Sequence, residues 1–433
     1  MNLFGNYKNE MEAIGHLKNR VSTKSHKSRN RDLYLGKFMF GKEFLRCIGT
    51  LVIITGCIYL SACSNSNKQG EIPVLDLTKT YPEMEFVADE ANKEYIVLET
   101  TDNVLADRDF SIQLVSEKHI VGINGNKGDV FIFNRNGKIK SFFNNKGEGS
   151  NEYLNLSSIV FDEKAQEVFI ADLKAKNRCL VYDLDGRFLR QLNYPDTAWI
   201  NDLYDFDEHN LLAYCTRRAR PTDAPEDINQ TMPYVFLSKK DGSVISRLDL
   251  SFQERVNDRI RVQTEQGLAS IVIYTGAYKV RFGKEFIVSD KSSDTIYMFS
   301  QDKKLISLFI RTPSVFNEEQ IIILTVEFKT DTYLFFSTVN YDKNKITAQF
   351  LNNQEMTIDP EKKFAYNLHT GQLFSLSNIP SGINSAPNNT AIRKIYSFRL
   401  LEDLENGKLD GKLKQVAQKV DADANPIVEI IKY

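Results

Sequence analysis

The stretch DVFIFNRNGKIKSFF at residues 129–143 decides the fold. It consists of an alternating apolar run, the dipeptide Asn136-Gly137 and a second alternating run. Alternation with a period of two is typical of β-strands, and Asn-Gly is typical of two-residue hairpin turns because these turns require positive φ. The stretch therefore predicts a β-hairpin.

Equivalent hairpins recur along the chain. Four further copies of the phrase lie at 179–192, 234–248, 295–309 and 363–377. Their two-residue breaks are Asp185-Gly186, Asp241-Gly242, Asp302-Lys303 and Thr370-Gly371. Each copy follows two other alternating runs around a turn, as in SIVFDEKAQEVFIADL at 158–173. The two phrases together predict a repeated unit of four antiparallel strands.

The repeat identifies the fold class. Units of this length are typical of propeller blades, whereas a β-sandwich has many short strands without a repeated four-strand unit. Five units are legible in the sequence, and the two chain ends supply a sixth. At the C-terminal end, strands at 392–399 and 425–432 flank a helix that is broken near Gly407–Gly411. A strand at 94–101, near the start of the propeller, completes this sixth blade. We therefore predict an all-β, six-bladed β-propeller of four-stranded antiparallel blades at 91–433, with a short helix near the C-terminus.

The N-terminal region indicates export. Residues 47–63 are apolar, follow Lys42 and Arg46, and end in Leu60-Ser61-Ala62-Cys63. The run is shorter than the roughly 20 residues of a membrane span and is typical of a signal-peptide core. Its end resembles the bacterial lipobox, which implies cleavage before Cys63 and a lipid on its sulfur. Ile54-Thr55-Gly56-Cys57 is an alternative lipobox with a shorter core, and a plain membrane anchor is the other alternative.

These observations divide the chain into three parts. Residues 1–62 are the N-terminal extension and lipoprotein signal peptide, and Met39 is the expected true start because MFGKEFLR is a normal signal-peptide beginning. Residues 63–90 are the tether and lead-in, before the propeller at 91–433. Ser64 follows the cysteine, and by resemblance nothing there signals retention at the inner membrane, so we expect the outer membrane.

Charge and cysteine usage exclude some classes of protein. From Cys63 onward there are 45 basic and 53 acidic residues, a net charge of −8, which gives no general attraction to nucleic acid. Cys179 and Cys215 are the remaining cysteines of the propeller region, and neither belongs to a C-x-x-C pair. We expect both to be buried strand residues, although a bridge between them is not excluded by the sequence.

Four stretches resemble a known family. IPVLDL at 72–77, YPE at 81–83, EYIVLETTDNVL at 94–105 and KGEGSNEY at 146–153 are similar to six-bladed β-propeller lipoproteins of Bacteroidetes-type bacteria, which resemble NHL-repeat propellers. The resemblance runs from about Cys63 to Tyr433. The family's usual G-x-G-P-G-E-Y appears here with Ser150 and Asn151 in place of the proline and third glycine. The resemblance implies this architecture and an envelope address, without an agreed activity.

No catalytic signature accompanies the fold. The sequence has no G-x-S-x-G, H-E-x-x-H, Walker or Rossmann motif. The propeller region has three histidines, His119, His209 and His369, at non-equivalent positions of the repeat. We therefore predict no catalytic residue, no metal site and no cofactor.

A ligand site is predicted at one mouth of the propeller channel. The blade-to-blade links 146–153 and 194–200 contain Glu152, Tyr153 and Trp199, and an aromatic group beside a carboxylate suits a sugar or a peptide. Arg217 and Arg218 add positive charge if their loop folds over the same face. The alternatives are packing of the aromatic rings between blades and a solvated basic loop.

The resulting functional hypothesis is a non-catalytic binding or scaffold module on the cell envelope. Its expected partners are the membrane, through the lipid on Cys63, and a carbohydrate, a peptide or an envelope protein. The alternative is an envelope enzyme, of lyase or glycan hydrolase type, with its site in the channel. Some propellers catalyse reactions with scattered side chains, so the absence of a motif does not decide between the two.

We predict that Cys63 is the lipidated first residue of the mature protein. Mass spectrometry of the purified N-terminus should give a diacylated or triacylated cysteine at this position, and a Cys63→Ala variant should no longer partition into detergent. A mature chain that begins upstream, or a variant that still partitions into detergent, contradicts the prediction.

Overall fold

The computed structural model describes residues 71–433 with several gaps. The gaps are 173–177, 195–198, 217–231, 257–258, 266, 273–278, 283, 318, 378–384 and 388. Cys63 and the signal segment lie outside the described residues. Two strands precede the first blade, namely β1 (Val74–Asp76) and β2 (Lys93–Val97), with a 3-10 turn at Glu90–Asn92 between them.

The first three blades follow in chain order, and each strand pairs antiparallel with the next. Blade 1 contains β3 to β6, at Phe110–Val115, His119–Asn124, Asp129–Asn134 and Ile139–Asn144. Blade 2 contains β7 to β10, at Leu156–Asp162, Glu167–Asp172, Arg178–Asp183 and Phe188–Asn193. Blade 3 contains β11 to β14, at Trp199–Asp205, Asn210–Thr216, Tyr234–Ser238 and Val244–Arg247.

The second half of the ring carries insertions. A hairpin of β15 and β16, at Arg259–Thr264 and Gly267–Val272, precedes blade 4. Blade 4 contains β17 to β20, at Lys279–Phe282, Glu285–Val288, Thr295–Phe299 and Ile306–Thr312. Blade 5 contains β21 to β24, at Gln320–Lys329, Tyr333–Asp342, Lys362–Asn367 and Leu373–Leu376, with helix α1 (Lys343–Leu351) inserted after β22.

Blade 6 combines both chain ends. After the short strand β25 (Ser385–Ala386), it contains β26 (Thr390–Ile395) and β27 (Ile427–Lys432), and β2 pairs antiparallel with β27. Helices α2 (Ser397–Glu405) and α3 (Gly411–Ala417) lie between β26 and β27. The structure confirms the six-bladed propeller, the broken helix near the C-terminus and the closure of the ring by β2, the strand expected at 94–101. The sixth sheet, however, has three strands among the described residues.

The hairpin turns adopt the conformation that the sequence predicts. The second residue of every predicted two-residue break has positive φ, as listed for Gly137, Gly186, Gly242, Lys303 and Gly371. The tight turns also touch the neighbouring blade, because a Cβ added to Gly186 would lie 2.6 Å from the Cβ of Phe143 in blade 1. Glycine at this position therefore satisfies both the backbone conformation and the packing between blades.

Apolar clusters between neighbouring blades form the core. Cys179 of blade 2 and Cys215 of blade 3 lie in one such cluster, and both are free and buried, as expected from the sequence. Burial raises the pKa of Cys179 to about 12, so that its thiol is uncharged at neutral pH. These cysteines act as small apolar residues of the core.

Asn425 reinforces the closure of the ring. Its amide nitrogen donates to the carbonyl oxygens of Glu99 (2.7 Å) and Val104 (2.9 Å), and its side-chain oxygen accepts from the backbone amide of Ala106 (2.7 Å). One buried side chain thus joins the last blade to the segment that enters the first blade. All its hydrogen-bonding groups are used, as burial requires.

The lead-in segment belongs partly to the sheets. β1 pairs in parallel with β20 of blade 4, and the Met84 amide donates to the Ser375 carbonyl of blade 5 at 2.9 Å. The ring of Phe86 stacks on Tyr433 with centroids 4.6 Å apart. The chain before β2 therefore contacts three blades, rather than serving as a spacer along its whole length.

Removal of residues 94–101 should lower the melting temperature far more than removal of 64–71. The first deletion exposes the edge of β27 and one face of the closing cluster, the apolar cluster in which Ile96 of β2 and Val428 of β27 meet Phe110 of β3. Circular dichroism melting of the two truncated chains tests this expectation. Equal melting temperatures contradict the role of β2 in closure.

Gly186→Ala should destabilise the fold by about 2 to 4 kcal/mol, because left-handed backbone strain adds to the overlap with Phe143. Gly407→Ala is a matched control, since Gly407 also has positive φ (67°) but its Cβ would meet nothing within 4 Å. The control should lose only about 1 kcal/mol. Urea unfolding of both variants measures the difference, and equal losses contradict the packing argument.

Candidate functional site

A cavity of about 560 Å³ lies among the first strands of blades 1, 2 and 3. Its walls come from residues 113–117, 158–161 and 202–205, together with Val121, Glu163, Ala386 at the end of β25 and Pro387 after it. This volume falls within the range of small-molecule sites. The cavity is therefore the candidate functional site.

The cavity occupies one particular end of the strands. Its lining residues belong to the later parts of β3, β7 and β11 and to the turns that follow them. The blade-to-blade links 146–153 and 194–200 enter β7 and β11 at their other ends. The cavity thus lies at the opposite end of the first strands from the mouth where the sequence predicted a ligand.

Glu163 in the turn after β7 carries a fixed negative charge at the cavity wall. Its Oε1 accepts hydrogen bonds from Ser116 Oγ at 2.6 Å and from His119 Nδ1 at 2.7 Å. Burial by itself raises the pKa of Glu163, but these two hydrogen bonds outweigh that effect and the pKa lies below its usual 4.5. The carboxylate is therefore ionised at neutral pH.

Lys140 on β6 determines which nitrogen of His119 carries the proton. Lys140 Nζ lies 2.9 Å from His119 Nε2. Because an ammonium group can only donate, Nε2 accepts and the proton of the neutral ring is on Nδ1, where it is donated to Glu163. The imidazole therefore accepts a hydrogen bond from Lys140 of blade 1 and donates one to Glu163 of blade 2, which connects the two blades.

Asp205 at the end of β11 is held by a second lysine. Lys239 is buried, and its Nζ lies 2.7 Å from Asp205 Oδ1 and 2.5 Å from Asp162 Oδ2. Burial by itself raises the pKa of Asp162. Hydrogen bonds from backbone amides and from Lys239 outweigh this effect, so the pKa of Asp162 lies below its usual 3.8. Lys239 thus neutralises part of the acidic charge from behind the cavity wall.

Glu117 and Asp202 complete the acidic lining. Glu117 is exposed in the turn after β3, and Asp202 is half-buried on β11. Four residues with carboxyl groups therefore surround one opening. The rest of its wall includes polar residues such as Gln113 and Ser158 and apolar residues such as Leu114. Such a lining favours a ligand that combines a positive charge with an apolar or sugar-like face.

The link 146–153 contains two of the predicted ligand residues. Tyr153 is fully buried, donates its hydroxyl proton to the Gly128 carbonyl oxygen at 2.5 Å, and accepts from the Asn145 amide at 3.0 Å. Burial raises its pKa to about 12. The ring is fully buried, presents no face to a ligand and packs between blades 1 and 2. Glu152 is exposed, with Oε2 accepting from the Gly149 amide at 2.8 Å.

The other predicted ligand residues cannot be placed in the same way. Trp199 begins β11, but its side chain lies outside the described residues, as do Arg217 and Arg218. Sequence reasoning also missed Glu163 and Asp205. A signal existed in the sequence, because Glu163 directly follows the first strand of blade 2 and Asp205 ends the first strand of blade 3.

Within the described parts of residues 71–433, no three His, Cys, Asp or Glu side chains are grouped as metal ligands require. In the same parts of the chain, no helix has the length and apolar character needed to span a bilayer.

Comparison with solved structures supports the fold. An exported protein from Bacteroides fragilis NCTC 9343 superimposes with a TM-score of 0.56 and 14% identity, covering 83% of this chain and 100% of that chain. A member of the DUF4221 family from Bacteroides vulgatus gives a TM-score of 0.47 and 10% identity, covering 80% and 97%. The first likeness shows a common fold, and the second is too low to support an argument.

Sequence comparison places the chain in a family. A search among curated proteins finds no match. The profile described as "Domain of unknown function (DUF4934)" matches residues 88–432, which include five complete blades and all three strands of blade 6. The chain therefore belongs to the DUF4934 family.

Proposed function

We propose that this protein is a lipid-anchored binding module of the cell envelope, which holds a small basic ligand in the cavity among blades 1, 2 and 3. The ligand class is a sugar or peptide that carries an amino group. The observation that carries the proposal is the set of four carboxyl residues, Glu117, Glu163, Asp202 and Asp205, around one cavity of about 560 Å³. The anchor is the lipid on Cys63, and the membrane is the outer membrane.

The fixed geometry of Glu163 supports binding rather than proton transfer. A general acid at neutral pH needs a raised pKa, whereas the pKa of Glu163 is lowered. Its hydrogen bonds to Ser116 and His119 also orient the carboxylate before any ligand arrives. Such preorganisation favours affinity because little ordering is required on binding.

An enzyme of glycan hydrolase or lyase type is the second candidate. The observation in its favour is the same convergence of carboxyl groups, since glycoside hydrolysis uses a pair of them. Product formation from oligosaccharides, followed by mass spectrometry, distinguishes it from a binding module. Turnover that is lost in Glu163→Gln would support the enzyme and contradict the binding module.

The chain should bind glucosamine oligosaccharides or lysine-containing peptides more tightly than their N-acetylated forms, which lack the positive charge. Glu163→Gln should weaken that binding roughly 10- to 100-fold, because a hydrogen bond to a charged group contributes about 1.5–3 kcal/mol. Isothermal titration calorimetry measures the affinities. Binding should weaken as the pH falls through the pKa of Glu163, below 4.5, where the carboxylate becomes protonated.

Glu148→Gln is the matched control, because Glu148 is an exposed carboxylate in the link at the other end of the strands. It should leave the affinity unchanged. Loss of binding in Glu152→Gln but not in Glu163→Gln would move the ligand to the link mouth. Equal affinity for charged and acetylated probes, or no affinity for either, contradicts the proposal.

A further inference from the structure

The short strand β25 pairs with a blade on the other side of the ring. It runs parallel to β17 of blade 4, with Ser385 opposite Arg281 and Ala386 opposite Phe282. In the order of that sheet, β25 and β18 lie on opposite sides of β17. Because the first strand of a blade borders the central channel of a propeller, β25 lies inside the channel.

Ala386 joins β25 to the opposite wall of the channel. It is 7% exposed and lies in the closing cluster, which also contains Phe110 and Ile112 of β3 and Ile392 of β26. Blades 1 and 4 face each other across a six-bladed ring. A strand that pairs with blade 4 and packs against blade 1 therefore crosses the channel.

The chain after β25 is fixed to a third blade. Asn389 Oδ1 accepts from the Asp331 amide at 2.7 Å, and Asn389 Nδ2 donates to the Asp331 carboxylate at 2.7 Å. Asp331 lies in the turn between β21 and β22 of blade 5. The crossing segment is thus held by blade 4 before Pro387 and by blade 5 after it, as a fixed partition requires.

This partition forms one wall of the cavity among blades 1, 2 and 3. Ala386 and Pro387 both line the cavity. Toward the link end, the lining begins with Gln113 of β3, Ser158 of β7 and Asp202 of β11, which follow the first residues of their strands. The cavity is therefore bounded by β25 on one side and occupies only the later part of each first strand.

We propose that β25 makes this cavity a blind pocket, which recognises the terminal amino sugar of an oligosaccharide rather than a unit within the chain. The inference rests on the proposed binding of an amino-bearing ligand in the same cavity. About 560 Å³ holds roughly one or two sugar rings, and a longer chain has no passage across the partition. The amide group of Gln113 and the carboxylates suit hydroxyl groups, which an amino sugar has and a lysine side chain lacks.

Hexamers of N-acetylglucosamine with a single free amino group test which unit is recognised. A hexamer with the free amino group on one of its two terminal units should bind the full chain as tightly as the glucosamine dimer does. A hexamer with the free amino group on the third unit should bind about 10- to 100-fold more weakly, because its ammonium group stays outside the pocket. Isothermal titration calorimetry measures these affinities. Equal affinity for terminal and internal amino groups, or tighter binding of a lysine peptide, overturns the proposal.

Pro387→Trp tests the wall itself. Pro387 is exposed and lines the cavity, so a larger ring fits the fold but occupies space that the ligand needs. The affinity for the glucosamine dimer should fall about tenfold or more, with an unchanged melting temperature. Pro360→Trp is the matched control, because Pro360 is also exposed and lies outside the lining. Unchanged dimer binding in Pro387→Trp contradicts the role of this wall.

The position of β25 can be tested without a ligand. Phe282→Cys combined with Ala386→Cys places two thiols at paired positions of neighbouring strands, which lie about 4.8 Å apart and within reach of a disulfide. Oxidation should join residues 282 and 386 in one cross-linked peptide, detected by mass spectrometry, and the oxidised chain should bind the dimer as the unmodified chain does. Dimer binding without a cross-link overturns this inference alone. A cross-link in a chain that binds none of the probes overturns the proposed function, and terminal-unit recognition with it.

Discussion

The pairing of β2 with β27 is the constraint on which the rest of the structure depends. Every blade buries an apolar face against two neighbours, so an open ring would expose two such faces and two unpaired sheet edges. The closing cluster joins Ile96 of β2 and Val428 of β27 to Phe110 of β3. Asn425 adds three hydrogen bonds to the segment that leads into blade 1. The two ends of the propeller sequence thus become one blade.

Closure brings first strands from different blades side by side around the axis. The Leu203 amide of β11 donates to Ser158 Oγ of β7 at 3.0 Å, which ties two of these strands together. Acidic residues of β11 and of the turns after β3 and β7 therefore meet around one cavity, where their repulsion must be limited. Lys239 and the pair of His119 and Lys140 provide the opposing polarity, and they do so from outside the cavity lining. The opening keeps a negative lining as a result.

The two ends of the strands have different chemistry. At one end the acidic cavity is wide enough for a small molecule, and at the other the tight link 146–153 wraps around Glu152 and buries Tyr153. Two arginines lie near blades 4 and 5. The half-buried Arg255 forms an ion pair with Asp290, whereas Nη2 of the buried Arg311 has no hydrogen-bond partner among the described residues. A propeller tolerates such differences because links and turns connect the strands without forming the sheets, so their sequences can vary more freely.

The sequence by itself determined the features that depend on local backbone conformation. Alternation and turn residues with positive φ were sufficient for the strands and hairpins, because each is encoded within a few adjacent residues. The regular recurrence of these hairpins along the chain then gave the number of blades and left the two chain ends to complete the last one. Only the tertiary structure decided which side chains meet. Ser116 and Glu163 are 47 positions apart and form a hydrogen bond because blades 1 and 2 pack together. Tyr153 points into the protein because its hydroxyl group donates a hydrogen bond to the carbonyl oxygen of Gly128. The direction of a side chain in a link, and the contacts between blades, depend on the closed ring and are not written in any short stretch of sequence.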